Sequence, residues 1–344
     1  MKTLALFNNK GGVGKTTLTY HLAHMLQRLG YRVLAVDLDP QANLTSSFLD
    51  DGDLAELWGE PEDALAGSAY PRRLPGTGIM SGDTGTVAAA IEPLLDQTGD
   101  VRFFDPAQIR AKLSLVPGDL ELSRFEDKLS DAWPRCFTGS DKGALRVSTA
   151  FHRIIQDAGE RATADIALID VGPNLGAINR SALLAADCVL MPLAADLYSL
   201  RGLRNLGPSL RDWRRAWQDT VIPRAPKDMR LPAGTMEPIG YVIMQPVMRL
   251  SRPVRAYEPW LRRIPEVYAT SVLGEPFDPE AGGDYHIATM PNYQSLMPLA
   301  HDARKPMFDL RAGDGALGAT QAYVDKCYQD FRRLAKAVAA RLEL

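Results

Sequence analysis

The segment at residues 7–17, which reads FNNKGGVGKTT, constrains the fold of this chain more than any other feature. It follows a short apolar run at residues 4–7, and it precedes apolar residues that recur at helical spacing from Leu18 to Leu29. A strand, a glycine-rich loop and a helix in this order are the context of a phosphate-binding loop. The sequence therefore predicts that this segment binds the phosphates of a nucleoside triphosphate.

Each residue type in this loop is suited to binding phosphate or Mg2+. Glycines let successive backbone N–H groups converge on phosphate oxygens, and the start of a helix adds its positive end. Lys15 can reach the outer phosphates, Thr16 offers a hydroxyl to Mg2+, and Thr17 can donate to an inner phosphate. The predicted nucleotide-binding residues of the loop are Gly11, Gly12, Val13, Gly14, Lys15, Thr16 and Thr17.

An additional lysine distinguishes this loop from the ordinary G-x-x-x-x-G-K-[ST] pattern. Asn9 stands where that pattern has its first glycine, and Lys10 opens the loop. The segment resembles the deviant Walker A loop of the ParA/MinD family of ATPases. The resemblance implies an ATP-dependent homodimer in which Lys10 reaches the triphosphate bound by the partner, so that Lys10 and Lys15 both serve catalysis.

Two further segments end in carboxylates. The apolar run at residues 33–36 leads into Asp37 and Asp39, and the run at 166–169 ends in Asp170, a Walker B pattern. Carboxylates just beyond parallel strands lie at the ligand-binding edge of such a sheet. The resemblance implies that Asp37 helps organise the magnesium shell and that Asp39 positions or activates the attacking water. Asp170 is predicted to hold magnesium opposite Thr16. One departure is Gly172, which replaces the first proline of the family's D-x-P-P-x-x-G segment.

Strand and helix patterns alternate along the chain, which predicts an α/β fold: a mostly parallel P-loop NTPase sheet with helices on both faces. We expect a single ParA-like domain over residues 1–344 with a surface insertion at about 50–110, a region rich in acidic residues, glycine and proline. A helix is predicted at 86–95 and a loop at 133–142. The resemblance also makes Gln245 and Pro291 candidates for lining the adenine, although either residue would serve equally as an ordinary loop residue.

Composition places the chain among ordinary globular proteins, with 46% hydrophobic and 24% charged residues. No apolar run approaches the ~20 residues of a membrane-spanning helix. The chain begins directly in a strand pattern, so no signal peptide is expected. Its 3 cysteines are far apart, which argues against a disulfide framework and favours a cytoplasmic location. Cys136 and Cys188 also lack the contexts of the cluster ligands in the nitrogenase iron protein.

Charge is distributed unevenly. Residues 201–263 carry 13 arginines and lysines against 5 acidic residues, a net +8, so the remainder of a chain with net charge −3 carries −11. Members of the ParA family bind DNA without sequence preference through basic residues in this half of the chain, and phosphate neutralisation needs only clustered cations. The candidate DNA contacts are Arg201, Arg204, Arg214, Arg215, Arg249, Arg252 and Arg255. The alternative is a solvated face whose arginines pair with acidic side chains.

The sequence thus favours a ParA-like ATPase that uses ATP and Mg2+, dimerises, binds DNA near the nucleoid and awaits a ParB-like stimulating protein in plasmid or chromosome partition. An alternative is a positioning or regulatory switch that recruits a protein cargo without DNA. A third is a metabolic enzyme similar to dethiobiotin synthetase, which the arginine-rich half disfavours. Residues 320–344 form an amphipathic pattern that is predicted to be a core helix rather than a MinD-like membrane anchor, so no membrane partner is expected.

Overall fold

The computed structural model describes residues 1–60, 83–244, 258–279, 284–293, 295–316 and 318–344, together with the backbone of two short strands at 248–249 and 252–253. Within these ranges, eight strands form one sheet: β1 (Lys2–Leu6), β2 (Val33–Asp37), β3 (Ala107–Arg110), β4 (Leu113–Val116), β5 (Ile166–Asp170), β6 (Cys188–Leu193), β7 (Glu237–Met244) and β10 (His286–Met290). The strands β8 (Met248–Arg249) and β9 (Arg252–Pro253) form a separate antiparallel pair.

The strand order is β10-β7-β6-β1-β5-β2-β4-β3, and all neighbours are parallel except the edge pair β3–β4. The strands β2, β5 and β6 are buried along their whole length, as expected of a parallel sheet covered on both faces. This confirms the predicted fold class. The register sets Asp37 opposite Asp170, so that two acidic side chains lie side by side at the carboxyl edge.

The helices are α1 (Lys15–Arg28), α2 (Asn43–Phe48), α3 (Asp51–Trp58), α4 (Val87–Leu95), α5 (Phe125–Cys136), α6 (Lys142–Ser148), α7 (Ala150–Arg161), α8 (Ala177–Leu184), α9 (Leu197–Arg215), α10 (Ile222–Arg224), α11 (Glu258–Val267), α12 (Leu296–Asp302) and α13 (Ala319–Arg341). Two π-helical segments, Ala216–Val221 and Tyr268–Leu273, follow α9 and α11. Short 3-10 turns occupy Leu120–Arg124, Met307–Asp309 and Ala312–Asp314.

Helices cover the two faces of the sheet because side chains alternate along each strand. Leu4 and Leu6 of β1 belong to the core that α1 and α13 complete, whereas Ala5 belongs to the core on the opposite face. That second core receives apolar side chains from α4, α5, α7, α8 and α9. The result is a three-layer arrangement of helices, sheet and helices.

The elements between the main strands follow the sequence pattern only in part. The predicted helix at 86–95 is confirmed as α4, where the Thr86 hydroxyl accepts a hydrogen bond from the Ala89 N–H. The predicted loop at 133–142 is wrong for its first part, since α5 continues to Cys136. Within the segment expected to be a surface insertion, α4 packs into the main core and β3 extends the sheet. The domain boundaries themselves stay a prediction.

The apolar stripe of α13 faces the protein interior. It is formed by Val324, Cys327, Phe331, Leu334 and Val338, all of which are buried in the core beside α1. The predicted amphipathic helix at the end of the chain is therefore used for packing. Among the described residues, no helix combines the length and the apolar character needed to cross a bilayer.

Candidate nucleotide site and arginine face

The glycine-rich loop joins β1 to α1 in a conformation that its glycines make possible. Gly12 and Gly14 have φ of 72° and 93°, in the left-handed region that residues with a Cβ rarely adopt. Gly14 is also the N-cap of α1, and no side chain in the described part of the chain caps this helix. The first N–H groups of α1 are thus free of side-chain caps at the carboxyl edge of the sheet, an arrangement suited to an anion.

Lys15 is buried at the first position of α1, with 7% of its surface exposed. Burial lowers the pKa of its amine, and the nearby carboxylates of Asp170 and Asp39 oppose that shift. A buried cation beside a phosphate-binding loop is in the place where it can hold a triphosphate. The fold therefore brings Lys15, Asp39 and Asp170 together at one edge of the sheet, and the role of each in a reaction stays a prediction.

Thr16 and Asp170 form a direct pair. The Thr16 hydroxyl donates to Asp170 Oδ2 over 2.6 Å, and the Thr19 hydroxyl lies 3.3 Å from Oδ1. Burial raises the pKa of Asp170, and the charge of neighbouring Asp37 raises it further. One hydroxyl and one carboxylate suit Mg2+, which usually keeps several waters and takes few protein ligands beside substrate phosphates. These two residues fit the predicted ion.

Asp37 is fully buried, and both of its carboxylate oxygens accept hydrogen bonds from the protein. Oδ2 accepts from the N–H and the hydroxyl of Thr45, each at 2.8 Å, and Oδ1 accepts from the Asp39 N–H at 3.2 Å. Burial raises the pKa of Asp37 to about 6, although the bonds from Thr45 oppose the shift. Asp37 therefore orders the segment that carries Asp39, and its predicted part in the magnesium shell stays a prediction.

Asp39 lies just beyond β2 and is buried, with 8% of its surface exposed. Its Oδ1 accepts a hydrogen bond from the Gln41 N–H at 3.1 Å, and a Cβ placed on Gly172 would lie 3.4 Å from the same oxygen. The glycine that departs from the family pattern is therefore a close neighbour of this acid. Asn179 Nδ2 donates to the Gly172 carbonyl over 2.9 Å and holds the segment from the other side.

Lys10 forms an ion pair with Asp196, the N-cap of α9, and its ammonium group lies 5.7 Å from the centre of the Tyr198 ring. The two charged side chains are 29% and 31% exposed. We call these three residues, Lys10, Asp196 and Tyr198, the Lys10 clasp. Sequence patterns could not identify it, because Lys10 and Asp196 are 186 positions apart.

A cavity of about 380 Å³ opens beside Thr17, between α1, α2, α3 and α12. Tyr20, His21, Ser46 and Met297 contribute to its lining. No sequence motif pointed to it, although Thr17 is the loop residue predicted to touch an inner phosphate. Of the two adenine candidates, Pro291 is half-buried just after β10, and Gln245 lies outside the described residues.

The predicted DNA-binding arginines divide into three groups. Arg201, Arg204 and Arg215 are exposed on α9, and we call these three the arginine face. Arg214 is half-buried, and its Nη2 donates to the Met236 carbonyl over 2.6 Å, so its guanidinium has a structural partner. Arg255 and the side chains of Arg249 and Arg252 lie outside the described residues.

Comparison with known proteins places the chain in a family. Residues 1–221 match the AAA domain family AAA_31. The chain is 29% identical over 210 residues to the sporulation initiation inhibitor protein Soj of Bacillus subtilis, and 31% identical over 205 residues to the chromosome partitioning protein ParA of Myxococcus xanthus. The chain belongs to the ParA/Soj family of P-loop ATPases. The matches cover 61% and 60% of this ParA-family chain but only 65% and 56% of the two relatives.

Solved structures share the fold of this ParA-family protein over nearly its full length. Protein DIP2308 from Corynebacterium diphtheriae has a TM-score of 0.70 at 22% identity and covers 99% of both chains. A variant of Cyanothece McdA in complex with ATP has a TM-score of 0.60 at 15% identity, covering 100% of this chain and 97% of that one. At these identities the likeness concerns the fold alone.

Proposed function

We propose that this chain is a ParA-type ATPase that dimerises around ATP, binds DNA without sequence preference in that state, and acts in partition of a plasmid or chromosome. The observation that carries the proposal is the deviant loop itself, with Lys15 buried near Asp39 and Asp170 and with a partly exposed Lys10 at the start of the loop. Family membership and the ATP complex of a protein with the same fold support ATP as the nucleotide.

The loop geometry supports the proposal of ATP binding. The uncapped N–H groups at the start of α1 and the lysine amine would surround the phosphates, with Thr17 at the inner one. Mg2+ held by Thr16 and Asp170 would supply positive charge against the β- and γ-phosphates. The deprotonated Asp170 carboxylate is the form that would bind Mg2+. Burial and the neighbouring acids raise the pKa of Asp170, and the charge of Lys15 opposes that shift.

Hydrolysis needs a water oriented toward the γ-phosphate and cations that stabilise its developing charge. We assign the first task to Asp39, whose carboxylate near Lys15 would orient that water and accept its proton. In an ATP dimer the partner subunit's Lys10 would add a second cation, as arginine supplied in trans does in other P-loop enzymes by roughly 10³ to 10⁵ in rate. Intrinsic turnover would be slow and stimulated by a ParB-like protein.

The arginine face is the proposed DNA contact, because exposed guanidinium groups on one helix can neutralise backbone phosphates without reading bases. Arg201 and Arg204 are neighbours at i and i+3 on α9, so they lie on the same side of the helix. Binding of this kind would associate a cytoplasmic protein with the nucleoid. We leave Arg214 out of the proposed contact set, since its guanidinium is committed to Met236.

The test is fluorescence anisotropy with a random-sequence duplex and ATP, ADP or no nucleotide, at two salt concentrations. We expect binding that requires ATP and weakens steeply as salt rises. Size-exclusion chromatography with light scattering, run in parallel, measures whether ATP produces a dimer.

The outcomes separate the candidate functions. A dimer that forms with ATP but binds no DNA would leave the ATPase in place and favour the alternative, a switch that recruits a protein cargo. ATP turnover that depends on an added small carboxylic or amine substrate would instead favour a metabolic enzyme and contradict the partition proposal.

A further inference from the structure

The first turns of α9 lie directly against the phosphate-binding loop. A Cβ placed on Gly202 would come within 2.4 Å of Asn9 Oδ1, so a larger residue there would shift the Asn9 side chain. Asn8 Nδ2 donates to the Pro192 carbonyl over 2.6 Å, which ties the same loop to the end of β6. The loop and the start of α9 are therefore in direct contact.

Asp196 stands at this junction and uses its two oxygens for different purposes. Oδ1 accepts the Ser199 N–H at 2.9 Å and caps α9, and Oδ2 accepts from the Lys10 ammonium group. Burial pushes the pKa of Asp196 upward, but the bonds from Lys10 and Ser199 outweigh burial and hold the pKa below its ordinary value. The side chain is therefore a charged carboxylate that serves as both helix cap and ion-pair partner.

The Lys10 clasp conflicts with the role that the proposed function gives to Lys10. That role takes the ammonium group to a triphosphate held by a second copy, and we infer that it leaves Asp196 and Tyr198 of its own chain to get there. The ion pair between Lys10 and Asp196 is only partly exposed, so breaking it costs a small amount of free energy. An interaction made in one state and absent from the other shifts the equilibrium between them by its own free energy.

We propose that Asp196 is a positioning residue that holds Lys10 in cis and thereby raises the ATP concentration needed for dimerisation. Tyr198 completes the clasp by presenting its ring to the same ammonium group, while 72% of its own surface stays exposed. ATP bound to a second copy of this chain is the competing partner for Lys10. This inference rests on the proposed function, because it assumes an ATP-dependent dimer.

The test variant is Asp196→Asn, which keeps an N-cap oxygen for Ser199 but removes the negative charge that holds Lys10. Asp212→Asn is the matched control, since it removes an exposed acid from the same helix away from the loop. Two quantities are measured for each protein: the ATP concentration at half-maximal dimerisation, and the rate at which an amine-reactive ester labels Lys10 in the nucleotide-free protein, followed by peptide mass spectrometry.

We expect Asp196→Asn to lower the ATP midpoint and to raise the Lys10 labelling rate, each by about two- to fivefold, the range of a partly exposed ion pair. Asp212→Asn should change neither, and the melting temperatures of all three proteins should agree closely because the cap is kept. Asp196→Glu retains the charge, so its Lys10 labelling rate should be lower than that of Asp196→Asn and closer to the wild-type rate.

The two readouts separate failure of the inference from failure of the proposed function. If the wild-type protein forms no dimer with ATP, the proposed function fails. Labelling of Lys10 still tests the cis ion pair in that case. If the dimer forms but Asp196→Asn leaves both the midpoint and the labelling rate unchanged, Asp196 does not position Lys10 and the inference is overturned.

Discussion

At the ends of β1, β2 and β5 the charged side chains are buried, whereas on α9 the arginines divide between solvent and the protein's own carbonyl groups. Lys15, Asp37 and Asp170 are each at least nine-tenths buried, and the pKa values of Lys15 and Asp170 respond to the charges around them. Arg201 and Arg204 are exposed, yet Arg214 on the same helix is bound to Met236. One region concentrates a few strongly interacting charges, and the other spreads weakly interacting ones over a surface.

This contrast predicts how each region responds to change. In the buried region, removing one charge leaves its partners uncompensated where water cannot replace it, so single substitutions have large effects that salt hardly alters. On the exposed face, water and ions screen each guanidinium, so effects are small, additive and salt-dependent. Substitutions in each region test whether the two differ in this way.

The largest effect is expected from Lys15→Ala, because the amine would make charge-assisted hydrogen bonds to the outer phosphates. Losing two such bonds weakens nucleotide binding by on the order of 10² to 10⁴-fold. Isothermal titration calorimetry with ATP and Mg2+ measures the change, and Lys112→Ala, an exposed lysine bonded to the Gly30 carbonyl, is the control. Wild-type ATP affinity in Lys15→Ala would show that this loop does not hold the phosphates.

Asp39→Ala is expected to abolish hydrolysis while sparing ATP binding. Loss of a group that orients and deprotonates water costs about 10² to 10⁴-fold in rate. Phosphate release measures turnover, and the variant should accumulate as an ATP dimer retained on DNA. Asp127→Ala, which removes an exposed acid on α5, is the control. Unchanged turnover in Asp39→Ala would remove Asp39 from catalysis.

The buried character of the nucleotide region extends along α1 to His21, whose Nδ1 donates to the Thr17 carbonyl at 2.7 Å while Nε2 accepts the Met307 N–H at 3.0 Å. Burial lowers the pKa of His21 from 6.5 to about 4. Between pH 6.5 and 4, His21 is protonated in the unfolded chain but neutral in the folded protein. The free energy of unfolding therefore decreases as the pH falls from 6.5 toward 4. For each pH unit of decrease in this range, His21 lowers the free energy of unfolding by about 1.4 kcal/mol at most.

Urea denaturation at about pH 7, 6 and 5, a range that spans the ordinary pKa of histidine, measures this dependence. His21→Gln removes the titrating group, so its unfolding free energy should fall less across that range than that of the wild-type protein. Both proteins carry His24, whose pKa burial also lowers, and its contribution cancels in the comparison. Equal slopes for the two proteins would contradict a neutral, buried His21.

The contrast between the regions also explains how much could be predicted from sequence. The loop, the acids after β2 and the acid at the end of β5 lie within short segments whose spacing is set by local backbone geometry. The parallel strands were likewise recognisable, since each is a continuous apolar run. Fold class and the core of the candidate site therefore follow from local pattern.

The remainder depends on interactions between distant segments. Trp133 and Pro134 were expected in a loop, but α5 continues to Cys136 although proline is unfavourable inside a helix. The Trp133 ring stacks on Trp217 and lies against the Arg180 guanidinium, and these tertiary contacts override the local preference. The ion pair of the Lys10 clasp and the bond from Arg214 to Met236 are equally non-local, so no sequence pattern distinguishes them.

The smallest effects are expected on the arginine face, where the comparison can be tested within one helix. Arg201→Ala and Arg204→Ala should each weaken ATP-dependent DNA binding by about two- to tenfold, and each should reduce the slope of log affinity against log salt by about 0.9 for every phosphate that is no longer neutralised. Arg214→Ala should instead lower the melting temperature, because it breaks the bond to Met236, and should leave the salt slope unchanged.

Anisotropy titrations at several salt concentrations, combined with thermal melts, separate the two results. If Arg214→Ala reduced the salt slope as much as Arg201→Ala does, its guanidinium would contact phosphate, and exposure in the free protein would not distinguish DNA-binding arginines from structural ones.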